Sequence, residues 1–143
     1  VWPAPPGPVT RMEITRFDGE FRWLSNFFPA PIRMSGLIFP CVENAYQAAK
    51  TLDHAARLPF VTLTPGAAKR AGRTLVLRPD WDSLRFEILL AMLRRKFRAG
   101  SLLADQVLAT GTCQLIEGNT WGDRVYGVDL RTGIGENHLL IPA

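Results

Sequence analysis

Glu43, Gln47 and Lys50 follow one another at spacings of four and three residues. At 100° per residue a helix places them on one narrow polar arc, beside an apolar one formed by Val42, Tyr46, Ala49 and Asp53 and widened by Ala45 and Leu52. A carboxylate, an amide and an ammonium on one edge suit cleavage of a bond that develops charge. The carboxylate would face a cationic centre or activate water, the amide would bond a hydroxyl, and the ammonium would meet an anion. A solvated Glu–Gln–Lys ladder fits the same spacing, and the pattern leaves both readings open.

Trp81 opens the strongest helical stretch, and Arg85 follows one turn later. An indole face suits a planar base and a guanidinium suits a phosphate. A core tryptophan and a structural ion pair fit equally. The segment Glu117-Gly-Asn-Thr-Trp-Gly-Asp-Arg-Val-Tyr-Gly-Val-Asp is a loop dense in aromatics, carboxylates and glycines. Trp23-Leu-Ser-Asn-Phe-Phe-Pro is a second such segment. Loops of this kind carry binding and chemistry more often than packing, although a turn pinned by an aromatic has the same composition.

Other chemistries lack their residues. There is no P-loop, GxGxxG, HExxH or GxSxG. His54 and His138 stand alone, and Cys41 and Cys113 have no CxxC partners, so no metal or cofactor is expected. Two distant thiols and a start without an apolar leader point to a reduced, cytoplasmic setting. No apolar run is long enough for a membrane span.

The chain's 143 positions, 47% hydrophobic and 21% charged, suit one soluble domain. The net charge of +4 fits an anionic ligand and is also an ordinary solubility charge. Residues 1–10 hold four prolines and form a lead-in; residues 11–143 form the domain. Strands are expected at Met12–Phe17, Leu37–Phe39 and Cys113–Ile116. A helix is expected from Cys41 to about Arg57. Another begins at Thr64-Pro65 and ends at Gly72; a third runs from Asp80 to about Ala99, capped by Gly100; a fourth runs from Ser101 to Thr110. Arg85, Arg95 and Lys96 fall within the apolar arc of the third, where a cation must snorkel, pair or face a ligand. The fold class is α+β, a mainly helical domain with a small sheet.

These residues resemble the YbiA/NADAR family. The resemblance opens with Phe17-Asp-Gly-Glu, Trp23-Leu-Ser-Asn-Phe-Phe-Pro and Val42-Glu-Asn-Ala-Tyr-Gln-Ala-Ala-Lys50. It continues in order through Thr64-Pro65, Ala68-Lys69, Gly72-Arg73, Asp80-Trp81, Lys96-Phe97, Leu108-Ala-Thr-Gly111, Leu115-Ile-Glu117, Gly118-Asn-Thr-Trp-Gly-Asp123 and Gly135-Glu-Asn-His-Leu139. It covers about residues 14–140. Asn44 stands where the family usually has histidine, and Tyr126 where it usually has tryptophan. The chain also stops near Leu140-Ile-Pro-Ala, where relatives continue into a final helix.

The resemblance implies a YbiA-like fold and an N-glycosidase activity without a cofactor. Its substrates would be phosphoribosylamino-pyrimidine intermediates of riboflavin synthesis or ADP-ribose attached to a base such as guanine. Nucleic acid would be a partner if it carries the modified base. The family's functional glutamate falls on Glu43, its tryptophan on Trp81 and its aspartate on Asp123. Glu43 and Asp123 are therefore expected to be catalytic. Trp81, Asn26, Gln47, Lys50, Arg85, Trp121, Tyr126 and Asn137 are expected to bind substrate, with Lys50 and Arg85 on the phosphate side. A module that holds ADP-ribose or NAD without cleaving it is the alternative.

Overall fold

α1 (Val42–Ala48) has no exposed residue. The computed structural model describes residues 13–111, 113–116, 118–119 and 128–129, and α1 runs through the centre of that part of the chain. Its small residues explain how it can be covered. Ala45, Ala48 and Ala49 let neighbouring backbones approach closely, while Val42 and Tyr46 fill the gaps between them. α3 (Pro65–Gly72), α4 (Trp81–Lys96), the strands β2 (Ile32–Met34) and β3 (Leu37–Phe39), and a 3₁₀ turn at Leu58–Val61 all pack on α1.

The local signals for these elements are physical. Thr64 caps α3 by accepting from Ala67 N–H at 3.3 Å, with Pro65 in the first turn. Ser101 caps α5 (Leu102–Ala109) in the same way, through Ala104 N–H at 3.1 Å. β2 and β3 form an antiparallel hairpin with Ile32 opposite Phe39, both fully buried. Its turn residues Ser35 and Gly36 have φ of 51° and 77°. This is the backbone twist that a two-residue hairpin loop requires, and glycine adopts it without strain.

A second cluster gathers Ile14, Trp23 and Leu24, with Trp23 edge-on to Phe97 at 6.4 Å. It lies between the 3₁₀ segment Gly19–Leu24 and the parallel pair of β1 (Glu13–Ile14) and β4 (Gln114–Leu115). β5 (Gly118–Asn119) and β6 (Val128–Asp129) form another parallel pair. The α+β class holds, with the strands in two-stranded pairs among the described residues. The proline-rich lead-in lies outside the described residues.

Several sequence expectations are corrected. The helix expected from Cys41 to Arg57 breaks after Ala48 and restarts as α2 (His54–Arg57). The carbonyls that would continue it are bonded elsewhere: Lys50 accepts from Arg78 N–H at 2.7 Å, and Thr51 from Arg57 Nε at 2.8 Å. Asp53 becomes the cap of α2, accepting from Ala55 N–H. Leu52, expected on the apolar side, is 62% exposed. Of the strand expected at Met12–Phe17, Glu13–Ile14 is strand and residues 15–17 are not, while Met12 lies outside the described residues. α4 ends at Lys96, so Gly100, with φ of 84°, serves the turn into α5 rather than the end of α4. Arg95 is exposed and donates to the Ala91 carbonyl, outside the apolar arc expected for it.

Candidate active site

Glu43 and Gln47 were expected on a polar arc beside the apolar one; both lie within the core. Glu43 is 9% exposed and Gln47 is 5% exposed. Gln47 Nε2 donates to Glu43 Oε1 at 2.8 Å, one helical turn apart. Burial pushes the Glu43 carboxyl above the ordinary glutamate value. The bond from Gln47 opposes that rise, and so do the charges of Lys69 and Lys50. The result is a desolvated carboxyl whose proton affinity is set by named neighbours, which suits proton transfer.

The elements around Glu43 fix it from both ends. Its backbone N–H donates to the Asn26 carbonyl at 3.1 Å. The preceding carbonyl, Ser25, accepts from Lys96 Nζ at 2.7 Å. Lys96 is 3% exposed, and its ammonium lies 5.8 Å from the Phe28 ring centre and 5.0 Å from that of Phe97. Of the outcomes open to a cation in the apolar arc of α4, this one is pairing. On the other side α3 presses Gly72 against Gln47. A Cβ at Gly72 would collide with Gln47 Oε1 and lie 2.7 Å from Cδ. That oxygen is buried without a hydrogen-bond partner among the described residues.

Lys50 was expected to continue the edge of Glu43 along an unbroken helix. It instead follows the end of α1, half-buried, with Nζ 5.9 Å from the Trp81 ring centre. Burial lowers its pKa; Glu43 works against that, while Arg73 and Lys69 add to it. Trp81 packs on Tyr46 at 5.1 Å and is 6% exposed, the geometry of a core tryptophan with Lys50 over it. The turn before it is clasped by Arg78, whose Nε donates to Asp80 Oδ1 at 2.6 Å.

Arg85 is not brought to this group by any hydrogen bond or ion pair. Its guanidinium lies 4.7 Å from the Phe86 ring centre, and its Nε is buried without a hydrogen-bond partner among the described residues. Asn26 contributes its carbonyl, as described above. Asp123, Trp121, Tyr126 and Asn137 lie outside the described residues. Asn44 turns into the fold: Nδ2 donates to the carbonyls of Phe60 and Leu63, and Oδ1 accepts from Cys41 Sγ. Cys41 and Cys113 are free thiols. Among the described residues no group of three His, Cys, Asp or Glu could hold a metal ion, and no helix is long and apolar enough to cross a membrane.

Sequence reasoning passed over Lys69, Arg73 and Lys96 as site residues. The signal for the first two was present: Ala68 and Gly72, one turn apart, are the buried face of α3, and each is followed by a cation.

Residues 15–139 match the NADAR domain model. The chain belongs to the NADAR family. N-glycosidase YbiA of Escherichia coli (strain K12) is 35% identical over 124 residues, 85% of this chain and 74% of that protein. N-glycosidase Npun_R5314 of Nostoc punctiforme is 33% identical over 121 residues, 80% of this chain and 76% of the relative. Riboflavin biosynthesis protein VVA0006 of Vibrio vulnificus is 36% identical over 115 residues, 74% of this chain and 31% of that longer protein. The NMR structure of the E. coli protein YbiA superposes with a TM-score of 0.76 at 31% identity, covering 92% of this chain and 80% of the other. NADAR membership thus brings both the α+β fold and a hydrolase activity of the N-glycosidase type.

Proposed function

We propose that this NADAR domain hydrolyses the C–N bond between a base and a phosphorylated ribose, with Glu43 as the catalytic carboxylate. The observation that carries this reading is the buried Glu43–Gln47 pair with Lys50 and Lys69 acting on it. Breaking a ribosyl C–N bond develops positive charge at C1′ and negative charge on the departing base. Ionised Glu43 stabilises the first and accepts a proton from the attacking water. The water oxygen bonds to C1′, the electron pair of the broken bond leaves with the base, and the proton that Glu43 took from the water is passed on through solvent to complete the base. Asp123 serves as the second acidic group, and Trp121, Tyr126 and Asn137 complete the substrate contacts.

The name of the Vibrio vulnificus relative favours a phosphoribosylamino-pyrimidine of riboflavin synthesis as substrate. ADP-ribosyl-guanine, free or in nucleic acid, is the competing substrate for the same chemistry. The deciding experiment incubates the chain with each compound and detects the released base by chromatography. Release from one compound only, lost in E43Q, names the substrate. Binding of ADP-ribose or NAD with no base released from either compound would make the chain a binding module instead.

A further inference from the structure

We propose that Lys69 of α3 and Arg73, the helical residue that caps its end, together with Lys50, form a cradle for the phosphoryl group on the 5′ oxygen of the substrate sugar. This rests on the reading of Glu43 as the carboxylate at C1′, and it replaces Arg85 with the α3 cations on the phosphate side.

Helix spacing places the cradle. Lys69 and Arg73 are four residues apart, so they lie on one side of α3, about 6 Å from each other. Each directly follows a residue buried against α1, Ala68 or Gly72. Gly72 touches Gln47, and Gln47 is bonded to Glu43. The two cations therefore flank the seam at which α3 meets the carboxylate's helix. Lys50 reaches the same region from the end of α1, held over Trp81.

Charge supports the placement. Lys69 acts on both Glu43 and Lys50, and Arg73 acts on Lys50. Two cations thus act on the carboxylate and the third acts on one of those two, and none of the three has an ion-pair partner within 4.0 Å among the described residues. Like charges gathered this way disfavour one another, and a bound dianion removes that cost. Cations in the last turn of a helix also suit its carbonyl end, whatever the function. Arg70 is the internal comparison: it is exposed in the same turn, yet it is not among the charges that shift Glu43 or Lys50.

The test is calorimetric binding of ribose 5-phosphate, ribose and ADP-ribose to the wild-type chain and to K69Q, R73Q and R70Q. All three positions are exposed, and thermal melts confirm folding. Ribose 5-phosphate should bind at least about tenfold more tightly than ribose, and K69Q and R73Q should each weaken it about tenfold. R70Q should stay within about twofold. If wild type binds ADP-ribose but not ribose 5-phosphate, the same losses read on ADP-ribose place its diphosphate in the cradle and support the proposal. It is overturned if K69Q and R73Q bind as wild type does, if R70Q loses as much as they do, or if wild type binds neither phosphorylated ligand. Wild-type turnover by E43Q would instead overturn the catalytic reading, and these affinities would not report it.

Discussion

Gly72 of α3 lies so close to the Gln47 amide of α1 that no side chain fits between them. The clash would involve Cδ as well as Oε1, and Gln47 is buried, so its amide has no open space to enter. G72A should therefore push Gln47 off Glu43 and part α3 from α1. The expected loss is about 1–3 kcal/mol of stability, the usual cost of overpacking. Urea unfolding measures it. Turnover per folded molecule should also fall, because the bond between Gln47 and Glu43 is what moves. A fully active G72A would show that the contact does not set the carboxylate.

E43Q should abolish base release while leaving the fold intact. Glutamine keeps the shape and can still accept from Gln47, so only the ionisable oxygen is lost. Its stability should also differ from wild type in a defined direction. Folding raises the proton affinity of Glu43, so the neutral carboxyl is the form the fold favours. That contribution is complete below the ordinary glutamate range and is lost as pH rises through the raised value. E43Q, neutral throughout, should melt above wild type at about pH 7, and the gap should close on acidification to about pH 4.

The pH–rate profile carries a related signature. With Glu43 acting as its anion, the acid limb of kcat/KM lies above the ordinary value of 4.5. Lys69 holds the carboxyl down, so K69Q should move that limb to higher pH. A limb at the same pH in both proteins would separate Lys69 from the carboxylate.

Asn44 should prove structural. N44A removes two donors from the Phe60 and Leu63 carbonyls and the acceptor of Cys41 Sγ–H. Leaving buried polar groups unpaired should cost about 2–4 kcal/mol, read from the urea midpoint. A substrate preference that follows Asn44 with no loss of stability would contradict this placement.

Trp81 can be read in the same two-sided way. W81A should cost about 3–5 kcal/mol, because a buried indole leaves a cavity. W81F keeps an aromatic face beneath Lys50 and should lose less. If folded W81F binds ribose 5-phosphate as wild type does, the ring's contribution is packing and support for Lys50.

The sequence made the capped elements readable because their signals are local. Thr64-Pro65 and Ser101 each satisfy a backbone N–H within three residues, and α3 and α5 begin where those residues say. The break after Ala48 was hidden because its causes are distant: Arg57 and Arg78 occupy carbonyls that a continuing helix would need. The spacing of Glu43 and Gln47 was legible as one edge, but their burial was not. It depends on α3 lying over that edge, which a glycine on another element permits. The spacing of Ala68 and Gly72 marks which side of α3 Lys69 borders, but that this side meets Glu43 is a relation through space, which spacing along one helix does not give.

Two consecutive carbonyls, those of Ser25 and Asn26, are taken by Lys96 and by the backbone of Glu43. The first of these bonds joins residues 71 positions apart. Closing so long a loop is entropically costly before other contacts reward it, so this bond belongs to the late events of folding. During synthesis the segment around residue 26 and α1 leave the ribosome well before Lys96 does. The nascent chain therefore passes through a stage in which the carboxylate exists and its setting does not. Until the end of α4 docks, Glu43 lacks the braced backbone setting that it has in the folded domain.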